Sequence, residues 1–263
     1  MFGVRVVIQP TAGLTFRRLP SSILHITTYP FLPPTTMSGF LRRLGIMQRA
    51  GPTFDAAVLV KQQDENREIY ALPRDLVAVG AYPERDQWSI HTTKRQGIRD
   101  FKHSAFSRIY RQADSKQVYQ LHDWDYLMCE RLTGYVLAEE KARLSELIGL
   151  TNRGCKLGKE GFAFVAKVSE PQEYRLERAT AMPATIAPGN MLVGVPCDVF
   201  PLYRYAWGNG EDSDWLEPKP SPIKGFIPFM AGVPAESLNA EYYTDGSAFI
   251  PKALVDELQK EGA

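Results

Sequence analysis

The sequence has few of the residues that mark several common protein classes. It contains only three cysteines in 263 residues, and Cys129, Cys155 and Cys197 are too widely spaced for a disulfide framework or a zinc site. Its four histidines are scattered and no dense carboxylate group accompanies them, so we predict no metal and no cofactor. We expect neither a signal peptide nor a membrane span, because a leader and a long apolar run are both missing. Reduced thiols then favour a cytoplasmic location.

Acidic residues are absent from the first 54 positions, whereas six arginines lie there. A second basic stretch, from His91 to Gln120, has a net charge of +5, and the chain from Gly208 onward has a net charge of −6. The overall charge of +1 therefore hides a strong segregation of charge. Such segregation suits a surface that binds a polyanion, although solvated charges that merely happen to cluster are the alternative.

Two short motifs are candidates, one for anion binding and one for catalysis. The segment 154–161 is rich in glycine, but three residues instead of four precede its Gly-Lys pair and Glu160 follows, so it is not a Walker loop. It remains either a glycine turn that presents Lys156 and Lys159 to an anion, or an ordinary loop. Lys102 and His103 are the catalytic candidates, because a histidine can deprotonate an RNA 2′-hydroxyl while a lysine stabilises the phosphorane. Binding or an inert role for this pair is the favoured interpretation.

Hydrophobic periodicity predicts an α+β fold. Strands are expected at 4–8, 56–60, 69–72, 125–130 and 162–166, with the second and third forming a hairpin. Helices are expected from Thr35, with an apolar stripe from Met37 to Met47, and over 139–150. Residues 81–120 show no clean periodicity, and we interpret them as a basic, aromatic insertion that projects from the core. This order predicts a ferredoxin-like (RRM-like) core with a central thumb insertion.

The remaining residues, 169–263, contain eleven of the nineteen prolines. We expect a smaller, β-rich and proline-rich C-terminal part with short edge strands and a final helix over 252–260. The predicted organisation is therefore a domain over 1–168 that includes the insertion at about 81–120, followed by the C-terminal part.

The segment 28–41 has the most specific pattern in the chain. It resembles the signature T-Y-P-x-P-P-(S/T)-x-x-x-G-hydrophobic-L of CRISPR-associated proteins of family five, which belong to the repeat-associated (RAMP) superfamily. The chain departs from that signature by one extra residue, Leu32. The resemblance extends over about the first two thirds of the chain, including the insertion and the glycine turn.

This resemblance implies a subunit of a type I Cascade complex, acting in defence against foreign DNA. Such subunits hold the 5′ handle of the CRISPR RNA, cap the backbone filament, extend a thumb between RNA bases and contact the large subunit. The implied partners are CRISPR RNA, the other Cascade subunits, and target DNA through the complex, with no membrane. Together with the charge map, the resemblance gives the residues expected to contact RNA: Arg17, Arg18, Tyr29, Thr35, Thr36, Ser38, Arg42, Arg43, Lys94, Arg95, Arg99, Lys102, His103, Arg108, Arg111, Lys156 and Lys159.

We predict a protein that binds RNA without acting as an enzyme. One branch of the family processes CRISPR precursor RNA with Tyr, Lys and His, and Lys102 and His103 resemble that pair. A metal-independent endoribonuclease is therefore the second hypothesis. A metabolic enzyme on a ferredoxin-like fold is a remote third, because nucleotide, metal and acid–base motifs are missing.

Overall fold

Alternating apolar residues place the first strand at the centre of a sheet. Val4, Val6 and Ile8 are fully buried on one face. The computed structural model describes residues 1–18, 25–50, 71–98, 119–159, 161–208 and 223–261. Their elements, in chain order, are β1 (Phe2–Pro10), β2 (His25–Ile26), α1 (Pro34–Ala50), β3 (Val77–Pro83), β4 (Trp88–Ile98), β5 (Tyr119–Cys129), β6 (Leu132–Ala138), α2 (Lys141–Ser145), β7 (Gly154–Leu157), β8 (Gly161–Val168), β9 (Gln172–Glu173), β10 (Arg175–Ala181), β11 (Ala187–Pro188), β12 (Cys197–Trp207), β13 (Ile223–Pro234), β14 (Leu238–Thr244), β15 (Phe249–Pro251) and α3 (Lys252–Gln259).

The central sheet has the strand order β3-β6-β1-β8-β7, with β9 also paired to β1. All of these pairs are antiparallel. Helix α1 lies against the face that carries Val4, Val6 and Ile8, because its stripe Met37, Phe40, Leu41 and Leu44 is buried in the same hydrophobic cluster. The predicted mixed α+β class is confirmed, and strand is the more abundant element.

The predicted insertion is a long β-hairpin with different bounds. Residues 81–83 belong to β3 of the central sheet, while β4 and β5 pair with each other from Trp88↔Cys129 to Ile98↔Tyr119. Alternation was not visible in the sequence because both faces of these arms carry polar residues. The short strand β2 pairs in parallel with β5 beside the core. Residues 99–118, with Arg99, Lys102, His103, Arg108 and Arg111, lie outside the described residues, as does most of the predicted hairpin over 56–72.

The helix predicted over 139–150 is shorter than expected. It ends after the five residues of α2, and a 3-10 turn follows at Ile148–Leu150. Leu144, Leu147 and Leu150 are buried, whereas Ala142 is exposed. A spacing of three residues matches the 3-10 repeat, which explains why an amphipathic pattern did not give a continuous α-helix.

The proline-rich part contains long strands instead of the predicted short ones. β12 has 11 residues and β13 has 12, and they pair with each other over most of their length. At Pro201 and Pro228, β12 and β13 are paired only with each other in the described sheet. No second strand therefore needs the N–H that proline lacks. A C-terminal helix is present at Lys252–Gln259.

The parts before and after residue 168 share one hydrophobic core. The same buried cluster contains Val4 and Leu41 together with Leu202, Ile250 and Leu254. The sequence boundary at 168/169 therefore does not separate two cores.

We predict that replacing residues 99–118 by an Asn-Gly turn leaves the fold intact. Arms β4 and β5 pair along eleven positions, and the described residues before and after the replaced segment supply a large buried cluster. Far-ultraviolet circular dichroism and the melting temperature should match those of the full chain, while retention of CRISPR RNA should weaken. Loss of the cooperative melting transition would contradict the description of this segment as an extension of the core.

Candidate nucleic-acid interface

The chain before α1 folds back beside the base of the β4–β5 hairpin. Leu14 pairs with Leu127 of β5 through two backbone hydrogen bonds of 3.0 and 2.7 Å. Arg17 lies opposite Thr28, and the Tyr29 N–H donates to the Phe16 carbonyl at 3.1 Å. These pairs hold Arg17 next to the hairpin and leave its side chain exposed.

Trp124 of β5 is the fixed centre of this region. Its side chain is mostly buried, and its Nε1–H donates to the Thr15 hydroxyl at 3.0 Å. The same hydroxyl donates to the Asp125 carbonyl at 2.8 Å. An indole whose N–H has a partner keeps one orientation, so the ring is a rigid platform.

Two predicted cations from distant segments lie over this ring, and a third lies near one of them. The Nζ atom of Lys159 lies 4.2 Å from the centroid of the Trp124 ring, and the Cζ atom of Arg95 lies 5.1 Å from it. Both distances are within the range of cation–π interactions. Arg17 acts on Lys159 through its charge. We call Arg17, Arg95 and Lys159 with Trp124 the Trp124 cluster; its three cationic side chains are exposed.

The cations of the Trp124 cluster repel one another. Partial burial lowers the pKa of Lys159 from its ordinary value of 10.5, and the positive charges of Arg17 and Arg95 lower this pKa further. A phosphate near the cluster would favour the charged form of Lys159 and reduce this repulsion. The arrangement is therefore suited electrostatically to a polyanion.

A glycine positions Lys159. Gly158 has φ +70°, and a Cβ atom at this position would lie 2.6 Å from the Thr15 carbonyl oxygen. The next residue, Lys159, donates its backbone N–H to that carbonyl at 3.0 Å. The glycine segment is thus a hairpin between β7 and β8, whereas the sequence predicted a turn between a helix and a strand.

The other predicted cations are spread around the molecule. Lys94 is exposed on the face of β4 opposite to Arg95, because neighbouring residues of a strand alternate. Lys156 is exposed on β7, and exposed Arg43 is close enough to Cys155 to act on its pKa. The Cζ atom of Arg18 lies 4.9 Å from the centroid of the buried Phe200 ring, so this side chain packs against the core.

Three residues of the helix signature that the sequence predicts to contact RNA are buried within the described part of the chain. Tyr29, Ser38 and Arg42 are all at least 92% buried. Tyr29 donates its hydroxyl to the Pro201 carbonyl, and the Ser38 hydroxyl accepts the Leu72 N–H at 2.8 Å. Arg42 shares a helix face with Ser38 at i, i+4 spacing, and later parts of the chain cover that face.

Thr35 and Thr36 at the start of α1 are half-buried. The Thr35 carbonyl accepts the Tyr205 hydroxyl at 2.9 Å, and Thr35 lines a small cavity of about 30 Å³ together with Arg74, Arg204 and Trp207. The C-terminal part therefore partly covers the helix start that the sequence predicts to contact RNA.

A hydrogen-bonded histidine on the other face of β5 was missed by the sequence analysis. His25 Nε2 lies 2.9 Å from Asp125 Oδ1, and Thr92 donates to the same oxygen at 2.7 Å. His25 is partly exposed, whereas Asp125 is buried. One hundred residues separate the pair, so no local motif could reveal it.

The described residues contain no group of three or more histidine, cysteine or acidic side chains arranged to hold a metal. Burial raises the pKa of Cys129 and of Cys155 to about 11, so both thiols are protonated at neutral pH. Among the described residues, no helix is long and apolar enough to span a membrane.

We predict that Gly158→Ala weakens RNA binding and destabilises the fold, with Gly194→Ala as the matched control. Both glycines have a positive φ, but a Cβ at Gly194 would meet nothing within 4 Å. Both variants lose the conformational advantage of glycine, and only Gly158→Ala must also displace Thr15. In urea denaturation, the free energy of unfolding of Gly158→Ala should be lower than that of Gly194→Ala by about 1–3 kcal/mol. Equal stability and equal RNA affinity of the two variants would contradict this role of the turn.

Comparisons with known proteins find a low similarity to solved CRISPR structures. No family model and no curated protein sequence matches the chain. A crystal structure of a CRISPR protein from Archaeoglobus fulgidus is 12% identical with a TM-score of 0.41, and the match covers 94% of this chain and 97% of that one. The type III-B Cmr-beta bound to cognate target RNA is 14% identical with a TM-score of 0.40, covering 89% and 86%. Cmr-beta bound to target RNA and AMPPnP is 12% identical with a TM-score of 0.39, also covering 89% and 86%. TM-scores of this size do not establish a shared fold or function.

Proposed function

We propose that this chain is an RNA-binding subunit of a CRISPR ribonucleoprotein complex. The observation that carries the proposal is the Trp124 cluster, in which Arg95 and Lys159 lie over one aromatic ring and Arg17 is close enough to Lys159 to act on its pKa. Arginine and lysine neutralise phosphates, and the exposed side of such a cluster offers them to the backbone of a single strand. The repulsion among the three cations decreases when phosphates approach, and this decrease favours RNA binding.

The finer proposal is a subunit of the family-five kind in a type I Cascade complex. It holds the 5′ handle of the CRISPR RNA, caps the backbone, and meets target DNA through the other subunits. The resemblance of residues 28–41 to the family signature supports this proposal. In this chain the signature segment has a structural role. The Tyr29 N–H donates to the Phe16 carbonyl, and this bond keeps the neighbouring Arg17 beside the β4–β5 hairpin.

The strand order supports the ferredoxin-like part of the proposal. With insertions set aside, β1, α1, β3, β6, α2 and β8 follow the order β-α-β-β-α-β, and the sheet runs β3-β6-β1-β8. Several RNA-binding modules share this arrangement. The β4–β5 hairpin, inserted between the second and third of these strands, is the proposed thumb.

Within this proposal the chain does not cut RNA, and the alternative is a metal-independent endoribonuclease. The alternative assigns catalysis to Lys102 and His103, which lie outside the described residues. The His25–Asp125 pair supplies a second histidine that a cleavage assay has to test, because a carboxylate orients a ring that can act as a base.

We expect RNA affinity to fall steeply with salt, because each phosphate neutralised on a single strand contributes about −0.7 to the slope of log affinity against log salt. The variants Arg17→Ala, Arg95→Ala and Lys159→Ala should each make this slope shallower by about 0.7 in a filter-binding titration with CRISPR repeat RNA. Lys224→Ala, at an exposed lysine of β13, is the control and should leave the slope unchanged. A slope near zero, or equal slopes for all four variants, would reject the Trp124 cluster as the interface.

We expect no cleavage of repeat RNA by the purified chain at neutral pH in EDTA, and no change with His103→Ala. If Lys102 and His103 are catalytic, the wild-type chain should give a discrete product, and His103→Ala should slow its formation by about 10² to 10⁴. His25→Ala is run in parallel, so that a product that depends on His25 alone is assigned to the His25–Asp125 pair. A metal-independent product that either variant abolishes with RNA binding retained would establish the nuclease.

A further inference from the structure

Two phenylalanines of β8 lie on the face of the central sheet that α1 does not cover. Ala163 and Val165 are fully buried in the core. Phe162 and Phe164 alternate with them along the strand and therefore point to the opposite face. Phe162 is 47% exposed, and Phe164 is half-buried. Because β8 is paired with β1 on one side and with β7 on the other, both rings lie within the sheet surface and not at its edge.

A glycine of β7 leaves room for the Phe162 ring. A Cβ atom on Gly154 would lie 3.0 Å from Cε1 of Phe162 and 2.9 Å from Cβ of Phe164. The Phe162 ring therefore lies close to the backbone of β7, while almost half of its surface remains exposed. An aromatic ring that is supported by a sheet and open to solvent can stack with a nucleobase.

Exposed lysines border the two rings. Lys156 of β7 lies directly across from Phe162. Towards the other end of β8, a shift in the pairing register places exposed Lys167 across from Val7, on the same face. The strands β1, β7 and β8 contain no acidic residue. This surface is therefore aromatic at its centre and positive at its borders, which suits the bases and phosphates of a nucleic acid.

The surface is continuous with the Trp124 cluster. Lys159 of that cluster lies in the turn between β7 and β8, three residues before Phe162. Three residues of chain span at most about 11 Å, so the Cα atoms of Lys159 and Phe162 are no further apart than that. Sites for single-stranded nucleic acid take about 4–16 nucleotides, which is long enough to contact both the cluster and the two rings.

The sequence of β8 has the pattern of an RNA-recognition strand. Residues 161–165 are Gly-Phe-Ala-Phe-Val and agree with five consecutive positions of the pattern K/R-G-F/Y-G/A-F-V-x-F/Y. The aromatic residues of that pattern stack with bases on the open face of a four-stranded sheet. The chain departs from the pattern at both ends, with Glu160 in place of the cation and Lys167 in place of the last aromatic residue. The two remaining aromatic positions are present, and in the structure both lie on the open face.

We propose that Phe162 and Phe164 stack with bases of a single-stranded RNA whose phosphates lie against Lys156 and Lys167. The inference rests on the proposed function and extends it from the phosphates at the Trp124 cluster to the bases. Every base has a π-face, so stacking of this kind holds RNA with little dependence on its sequence. The lysines favour RNA over an apolar surface of a partner protein, because such a surface would bury both ammonium groups without a counter-charge.

Filter binding of an oligoadenylate of about 12 nucleotides to the full chain tests this stacking surface. Phe162→Ala should weaken binding by about 5- to 100-fold, the loss expected for one stacked base. Phe162→Leu keeps an apolar side chain without a ring and should lose a similar factor, whereas Phe162→Tyr should bind within about twofold of the wild type. Leu176→Ala, at an apolar residue of β10 that is 51% exposed, is the matched control and should leave binding unchanged. The slope of log affinity against log salt should be that of the wild type in all four variants, because no charge is removed.

An oligomer of abasic ribose phosphates of the same length separates the bases from the backbone. The wild type should bind it more weakly than oligoadenylate, and Phe162→Ala should weaken its binding no further. The stacking surface is overturned if Phe162→Ala or Phe162→Leu binds oligoadenylate as the wild type does, or if Phe162→Tyr loses as much as Phe162→Ala. It is also overturned if Phe162→Ala weakens binding of both oligomers equally, or if it disrupts association with another protein while RNA binding stays unchanged. Failure of the proposed function looks different: the salt slope for repeat RNA would then be near zero, whereas failure of the stacking surface alone leaves that slope steep.

Discussion

The Thr15 hydroxyl makes the contact on which the candidate interface depends. It accepts the indole N–H of Trp124 and donates to the carbonyl of Asp125, so one side chain ties the base of the hairpin to the chain that precedes α1. A buried donor without a partner costs about 1–3 kcal/mol, which keeps the indole in a single orientation. Because Lys159 and Arg95 are placed relative to that ring, the geometry of the cationic surface follows from this hydroxyl.

Bringing like charges together requires support from elsewhere in the fold. An exposed cation–π contact contributes only about 0.5–1 kcal/mol, so the aromatic ring alone does not hold two or three cations in place. The backbone does this: Arg17 lies in a pair of extended segments, Arg95 in an eleven-residue arm, and Lys159 just after a tight turn. The buried cluster on the α1 face of the sheet stabilises all three supports at once.

Hydrophobic periodicity predicted single strands and helices well, but it did not predict which of them contact one another. The alternation around Val4 to Ile8 and the stripe from Met37 to Leu44 gave the first strand and the main helix, because each faces the core on one side. Charge counting found the segments of Arg17 and Arg95, and the glycine-rich motif indicated Lys159, but their proximity depends on non-local pairing that no local pattern encodes. Tyr29 and Ser38 of the signature, which the sequence predicts to contact RNA, each form a hydrogen bond with a distant backbone group, and no local pattern indicates these partners.

The bonds that link the helix signature to β12 have a consequence for the order of folding during synthesis. Tyr205 reaches the Thr35 carbonyl across 170 residues, and Tyr29 reaches Pro201 across 172. At a translation rate of about 5–20 residues per second, the ribosome needs on the order of 10 to 30 s to make the chain between them. During that interval the aromatic rings of Tyr29 and Phe31 lack Phe200, against which they pack edge-on in the finished protein. We therefore expect the nascent chain to expose an apolar surface at residues 28–41 until the C-terminal part emerges.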